Sequence, residues 1–317
     1  MKHNSKINYK KIISISLLVI LLTLFIYYIF NHLEDFKSLS VVKPTYLIPL
    51  ILLSIIASYA NGLIIKFLVQ PFDIKLKFKE WFGLSIITSF YNMITPFRGG
   101  LAAKAVYLKN KHNFSYPKFL STIAGLYVIN FLTAGIVGLI SLYILYKKHS
   151  IFSPIILFIF LGFVLPLLFI ILFSPKFKDT KYPLVNKFIE VLNGWTTLSK
   201  HKKIISYCSL IIALQILINS TGTYLSYHIF GVELDIWKAL FLTSIGIISS
   251  LIQITPSGLG INEAIAIFSG LIIGITPPQA LAVAILGRVV GIIVIFTLGP
   301  IYSYILLKHK TENLPEK

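Results

Sequence analysis

The chain has 317 residues, 56% hydrophobic and 13% charged, with a formal net charge of +18. A soluble fold of this size cannot hide so much apolar surface, which excludes a globular cytosolic protein and implies a polytopic membrane protein. The excess charge is lysine beside apolar runs, as the positive-inside rule requires, so nucleic acid is excluded as a partner and membrane lipids with anionic head groups are expected. Cys208 is the single cysteine, so no internal disulfide is possible; no metal and no cofactor are expected.

Residues 1–11 carry Lys2, Lys6, Lys10 and Lys11 ahead of the apolar run Ile12–Phe30. No small-residue cleavage site follows, so an uncleaved first helix with a cytoplasmic N-terminus is expected. A second span covers about 45–67. The alternation Phe72–Phe78 suits a strand or, beside a membrane, a short interfacial segment.

Trp81–Ile94 would rise about 21 Å as helix, short of the roughly 30 Å hydrocarbon core. Pro96 and Gly99-Gly100 stop it; Leu101–Leu108 resumes and ends in Lys109, Lys111 and His112. Both flanks are basic, which predicts a re-entrant hairpin open to the cytoplasm. Its tip must lie in protein or line a wet cavity.

Phe119–Leu145 leads out, although Lys147 and Lys148 then fall on the side that the charge rule disfavours, and Ser153–Phe173 returns. In the polar stretch 176–203, Leu184, Phe188, Val191, Leu192 and Trp195 mark an amphipathic interfacial helix linking two halves. Ile204–His228 crosses outward with a polar run, Asn219–Thr223, that serves as helix–helix glue or as a site. A second interrupted unit, Ile236–Ile273, breaks at Pro256–Gly260 and opens outward. Ala280–Leu307 returns, and Lys308, His309 and Lys310 set a cytoplasmic C-terminus.

Residues 1–317 thus read as one all-α transmembrane domain of about six spans and two re-entrant hairpins. At a constant offset of 160, Ser89 matches Ser249, Ile94-Thr95-Pro96 matches Ile254-Thr255-Pro256, Gly100 matches Gly260 and Pro117 matches Pro277. Such recurrence suggests duplication, with repeat one at about 45–145 and repeat two at about 204–307. Hairpins opening to opposite faces make the repeats inverted, as in many secondary transporters.

Charge inside the membrane is costly and faces a partner or a cavity. Of eleven acids, only Glu263 falls within a buried apolar run; the two arginines are Arg98, in the first break, and Arg288, in the last span. Arginine suits bidentate recognition of phosphate or carboxylate. The helices after Gly99-Gly100 and after Gly258 and Gly260 aim free N–H groups at the tips. Arg98, Lys104 and Arg288 therefore become candidates to hold an anionic head, with Asn262 beside them and Glu263 as gate. Each has a plainer alternative. In that reading Glu263 serves only to pair with an arginine, Arg98 snorkels, and Asn92, Gln253 and Asn262 cap broken helices. There is no phosphate-binding loop for ATP and no pair of membrane acids for glycosyl transfer.

Thr95-Pro96-Phe97-Arg98-Gly99-Gly100, Pro256-Ser257-Gly258-Leu259-Gly260-Ile261-Asn262-Glu263 and Gly287-Arg288 resemble the motifs of the flippase-like transmembrane family typified by the membrane region of lysylphosphatidylglycerol synthase. Many members carry an acid soon after the first Gly-Gly, where this chain has Leu101-Ala102-Ala103-Lys104. The resemblance implies translocation of a phospholipid or polyprenyl-linked lipid in the cytoplasmic membrane. It leaves open a sugar or aminoacyl transferase acting on a lipid carrier, or a non-transporting partner of a lipid synthase or glycosyltransferase. Many relatives add a soluble aminoacyl-transfer domain; this chain ends soon after its last span, so lysyl-lipid synthesis is not expected of it.

Overall fold

The computed structural model describes residues 40–173 and 198–307 apart from 253, with isolated positions at 23 and between 177 and 195. The first apolar run, most of the linker and the C-terminal tail lie outside the described residues. With them go the first of the six expected spans, the linker's apolar stripe except Trp195, and both termini.

The described chain is helical. Helices α1 (Leu47–Val69), α4 (Tyr116–His149), α5 (Pro154–Phe173), α6 (Lys202–Ile229) and α9 (Pro277–Leu307) are long and apolar enough to cross a membrane. They match the five expected spans beyond residue 40. Between them lie two broken pairs: α2 (Phe78–Ile94) with α3 (Gly99–His112), and α7 (Ile236–Ser249) with α8 (Ile261–Ile272). Large side chains on α5 such as Phe158, Leu172 and Phe173 stay exposed, as a lipid-facing surface requires.

Three boundaries differ from expectation, each for a local reason. Helix α2 begins at Phe78, because the Glu80 carboxylate accepts from the Lys77 N–H at 2.8 Å and closes the first turn. Helix α4 continues to His149, placing Lys147 and Lys148 in a last turn where the helix dipole favours cations. There His149 Nε2 lies 3.2 Å from Asp235 Oδ2, so the disfavoured cations have an acid nearby. The second break is wider than Pro256–Gly260: α7 stops at Ser249, and two 3-10 turns follow. After a left-handed turn at Asp73, the alternating stretch 74–77 forms no strand, with Ile74 and Leu76 buried and Lys75 and Lys77 exposed.

The repeats are inverted. The Val42 N–H, just before α1, donates to the Ile229 carbonyl at the end of α6 (2.8 Å), while Phe67 and Tyr207 meet at the other ends of the same helices (5.4 Å). Helices α1 and α6 are therefore antiparallel. Helix α2 lies antiparallel to α9, with Gly83 against Tyr302, Phe90 against Phe296 and Met93 against Gly291. Helix α7 packs on α4 in the same sense, its start beside the end of α4 through Asp235 and His149. Exchanging α1–α4 for α6–α9 thus preserves the packing while turning the unit over. One apolar cluster fills the space among α4–α7, and a second lies around α1–α3 and α9.

Candidate functional site

The two breaks share a backbone conformation and touch. Phe97 and Arg98 are left-handed (φ 54° and 55°), and 160 residues later so are Ser257 and Gly258 (51° and 64°). Three of these four are not glycine, a conformation that surrounding structure must hold in place. The Thr95 hydroxyl donates to the Tyr91 carbonyl and the Thr255 hydroxyl to the Leu259 carbonyl. The Phe97 N–H then donates to the Ile254 carbonyl at 3.3 Å, joining one tip to the other.

Each restarting helix is capped from its own repeat. Asn92 Oδ1 accepts from the Gly100 N–H (2.9 Å); a Cβ on Gly100 would lie 1.9 Å from the Thr88 carbonyl oxygen, so only glycine fits. Gly99 packs as closely on the Thr95 side chain. In the second break, Glu263 Oε2 accepts from the Gly260 N–H (2.6 Å), and Asn262 Nδ2 donates to the Ser257 carbonyl (3.0 Å). Asn92 acts as a cap, Asn262 instead ties the Ser257 carbonyl of the break, and Gln253 lies outside the described residues.

The scarce charges are fastened. Glu263, 6% exposed, accepts from Arg288 Nε (2.9 Å) and Nη2 (2.5 Å), binding α8 to α9. Arg98 donates to the Tyr127 hydroxyl on α4 (2.5 Å), lies over that ring, and donates to the Ser250 carbonyl in the second break. Lys104, on α3, is buried and joins no ion pair among the described residues. The structure therefore unites Glu263 with Arg288 and Arg98 with the second break, and joins Lys104 to neither by a hydrogen bond or ion pair among the described residues.

Beside the tips lies a cavity of ≈ 760 Å³ walled by both repeats. Its polar lining is uncharged: Asn61 of α1, Asn130 of α4, Asn219 and Thr223 of α6, Thr243 of α7 and Asn262 of α8. The arginines approach its edge, Arg98 through its bond to the wall residue Ser250 and Arg288 as the neighbour of the wall residue Gly287. Sequence reasoning missed Asn61 and Asn130. A lone amide inside an apolar run was the available signal, since lipid cannot satisfy it. The Asn219–Thr223 run does both jobs, Thr223 meeting the Thr243 hydroxyl at 3.2 Å while facing the cavity.

A second polar cluster was also missed. Glu80, at the base of the first hairpin, is only 6% exposed. It takes contacts from the Tyr107 hydroxyl (3.0 Å), His112 Nε2 (3.0 Å) and Lys111 Nζ (3.1 Å) besides the Lys77 N–H. Burial works against its charge, but these donors outweigh it and hold the carboxyl at about 2. Burial and the Glu80 charge push the Tyr107 phenol up, which keeps it a donor.

The sequence model for the lysylphosphatidylglycerol synthase TM region matches residues 12–299. A UPF0104 membrane protein of Methanocaldococcus jannaschii is 27% identical over 338 aligned positions, covering 96% of this chain and 98% of the relative. No solved structure matches the chain. With inverted repeats, paired broken helices and a match across nearly its whole length, the chain belongs to the family of the lysylphosphatidylglycerol synthase TM region.

Proposed function

We propose that this membrane protein translocates a lipid by passing its head group through the cavity beside the hairpin tips. The lipid is an anionic phospholipid or a polyprenyl-linked lipid, and the first hairpin opens to the cytoplasm of a cell membrane. The observation that carries this reading is the contact of two oppositely directed broken helices beside a cavity walled by both repeats. Its volume falls in the roughly 300–1,000 Å³ range of ligand sites. Amides and hydroxyls replace water around a head group in transit, and Arg98 and Arg288 at the edge offer cations to its phosphate. Release of Arg288 from Glu263 would free a guanidinium for that phosphate, which makes the pair a gate. Lining residues of this kind suit carriage better than transfer chemistry, which needs an acid or base aimed at the substrate.

The test is reconstitution in liposomes with fluorescently labelled phosphatidylglycerol and a membrane-impermeant quencher. Protein should raise the quenchable fraction from the outer leaflet alone towards the total, and Glu263→Gln should slow the rise at least tenfold. Equal rates in empty and protein-containing liposomes would overturn the proposal.

A further inference from the structure

The base of the first hairpin carries a second cavity, of ≈ 650 Å³, lined by Lys75, Lys77, Lys79, Lys111, Phe78 and Ile305 among others. Its charges are unevenly spent. Glu80 already engages Lys111 and His112. Lys75, Lys77 and Lys79 are exposed and form no ion pair among the described residues. Three like charges on five residues repel one another well within the Debye length of about 8–10 Å, and an anion among them relieves that repulsion.

The fold does not need these lysines. The second hairpin starts in the same way with Glu233 and Asp235, and caps its first helix with the Asp235 carboxylate, which accepts from the Trp237 N–H at 2.5 Å. Where repeat two is acidic and self-satisfied, repeat one is basic and open. The setting is a membrane interface. Ile74 and Leu76 anchor the extended segment inward, and Trp81 packs edge-on to Tyr59 and Phe78, each at 5.0 Å. Phe82 meets Tyr302 at 5.4 Å, so aromatic rings gather at this level as they do at head-group depth. Exposed Phe78 and Ile305 give the pocket an apolar wall that acyl chains can cover.

From these observations we infer that the pocket binds the phosphate of an anionic phospholipid, with the head group among Lys75, Lys77 and Lys79 and the chains against Phe78 and Ile305. This site is separate from the central cavity and stands whether or not that cavity moves lipid. At roughly one basic residue per 1 kcal/mol near a membrane surface, three lysines amount to about a hundredfold in affinity.

Native mass spectrometry of the purified full chain, titrated with phosphatidylglycerol or phosphatidylcholine, tests the assignment. Wild type should hold a phosphatidylglycerol that phosphatidylcholine does not displace. The Lys75→Gln/Lys77→Gln/Lys79→Gln variant should bind it about a hundredfold more weakly. Lys147→Gln/Lys148→Gln, at the opposite end, should bind as wild type does. All three substituted lysines are solvent-facing, and an unchanged melting temperature verifies folding of the variant. Undiminished phosphatidylglycerol binding by the triple variant would overturn the proposal. So would displacement of the lipid by millimolar glycerol 3-phosphate, which would make the pocket a site for soluble phosphate compounds.

Discussion

Replacing Glu263 with Gln tests whether the ion pair with Arg288 holds the second hairpin to the last span. The Glu263 side chain accepts three hydrogen bonds, two from Arg288 and one from the Gly260 N–H. Gln keeps one oxygen to accept with and loses the charge, leaving the Arg288 guanidinium without its counter-ion. Removing one partner of a buried pair costs about 3–5 kcal/mol. The Arg288 side chain keeps 20% exposure, so water recovers part of that and the lower end applies, about 3 kcal/mol. Melting of the purified protein in detergent should fall on the order of 10 °C. Arg288→Gln alone strands a buried carboxylate and should cost as much. The double variant should cost less than the sum, with a coupling of about 1–3 kcal/mol. Additive losses in that cycle, or a shift under about 2 °C for Glu263→Gln, would refute the claim that this pair fastens α8 to α9.

The other predictions concern the first hairpin. Gly100→Ala places a methyl against the Thr88 carbonyl and forces α2 from α3, so stability should drop by about 1–3 kcal/mol, whereas Gly246→Ala, with nothing within 4 Å, should melt no lower than wild type. Glu80 is held below its ordinary value, so its contribution is complete above about pH 4.5 and disappears towards about pH 2. Glu80→Gln should therefore cost up to about 3 kcal/mol at neutral pH, and melting curves of variant and wild type should converge as pH falls through that window.

Much of the architecture was legible because lipid imposes simple rules. A span must be long, apolar and helical, and a proline-glycine break inside one must be paired elsewhere, which made the offset of 160 visible. The charge rule also gave the opposed sense of the hairpins, which the antiparallel α1 and α6 bear out. What stayed hidden depends on side chains meeting across the fold. Tyr127 looks like a packing residue until Arg98 is seen against it, and Glu80 looks exposed until Tyr107 and His112 close over it. Asn61 and Asn130 lie on spans far apart in sequence, and no local pattern announces that they wall one cavity.

The repeats preserve backbone and diverge in charge, and the divergence constrains any transport cycle. At the duplicate offset Glu263 corresponds to Ala103, Lys104 to Ala264, Arg98 to Gly258 and Arg288 to Val128. No charge near the tips has a charged counterpart. Yet each break is tied to the span that follows its hairpin at nearly the same level: Arg98 to Tyr127 in repeat one, and Glu263 to Arg288, one residue beyond the equivalent of Tyr127, in repeat two. One tie is a cation on a phenol and the other a full ion pair. Under the proposed translocation, a phosphate entering from either side would meet guanidiniums already engaged, and would compete with a phenol and a carbonyl at one tip or with a carboxylate at the other. The phenol and carbonyl are the weaker competitors, because they offer the Arg98 guanidinium only dipoles, where Glu263 offers Arg288 a full opposite charge. Repeat one should therefore yield to such a head group first, and repeat two should hold until Glu263 is displaced from Arg288. Under the proposed translocation, an inverted pair with unequal latches of this kind would open one side at a time.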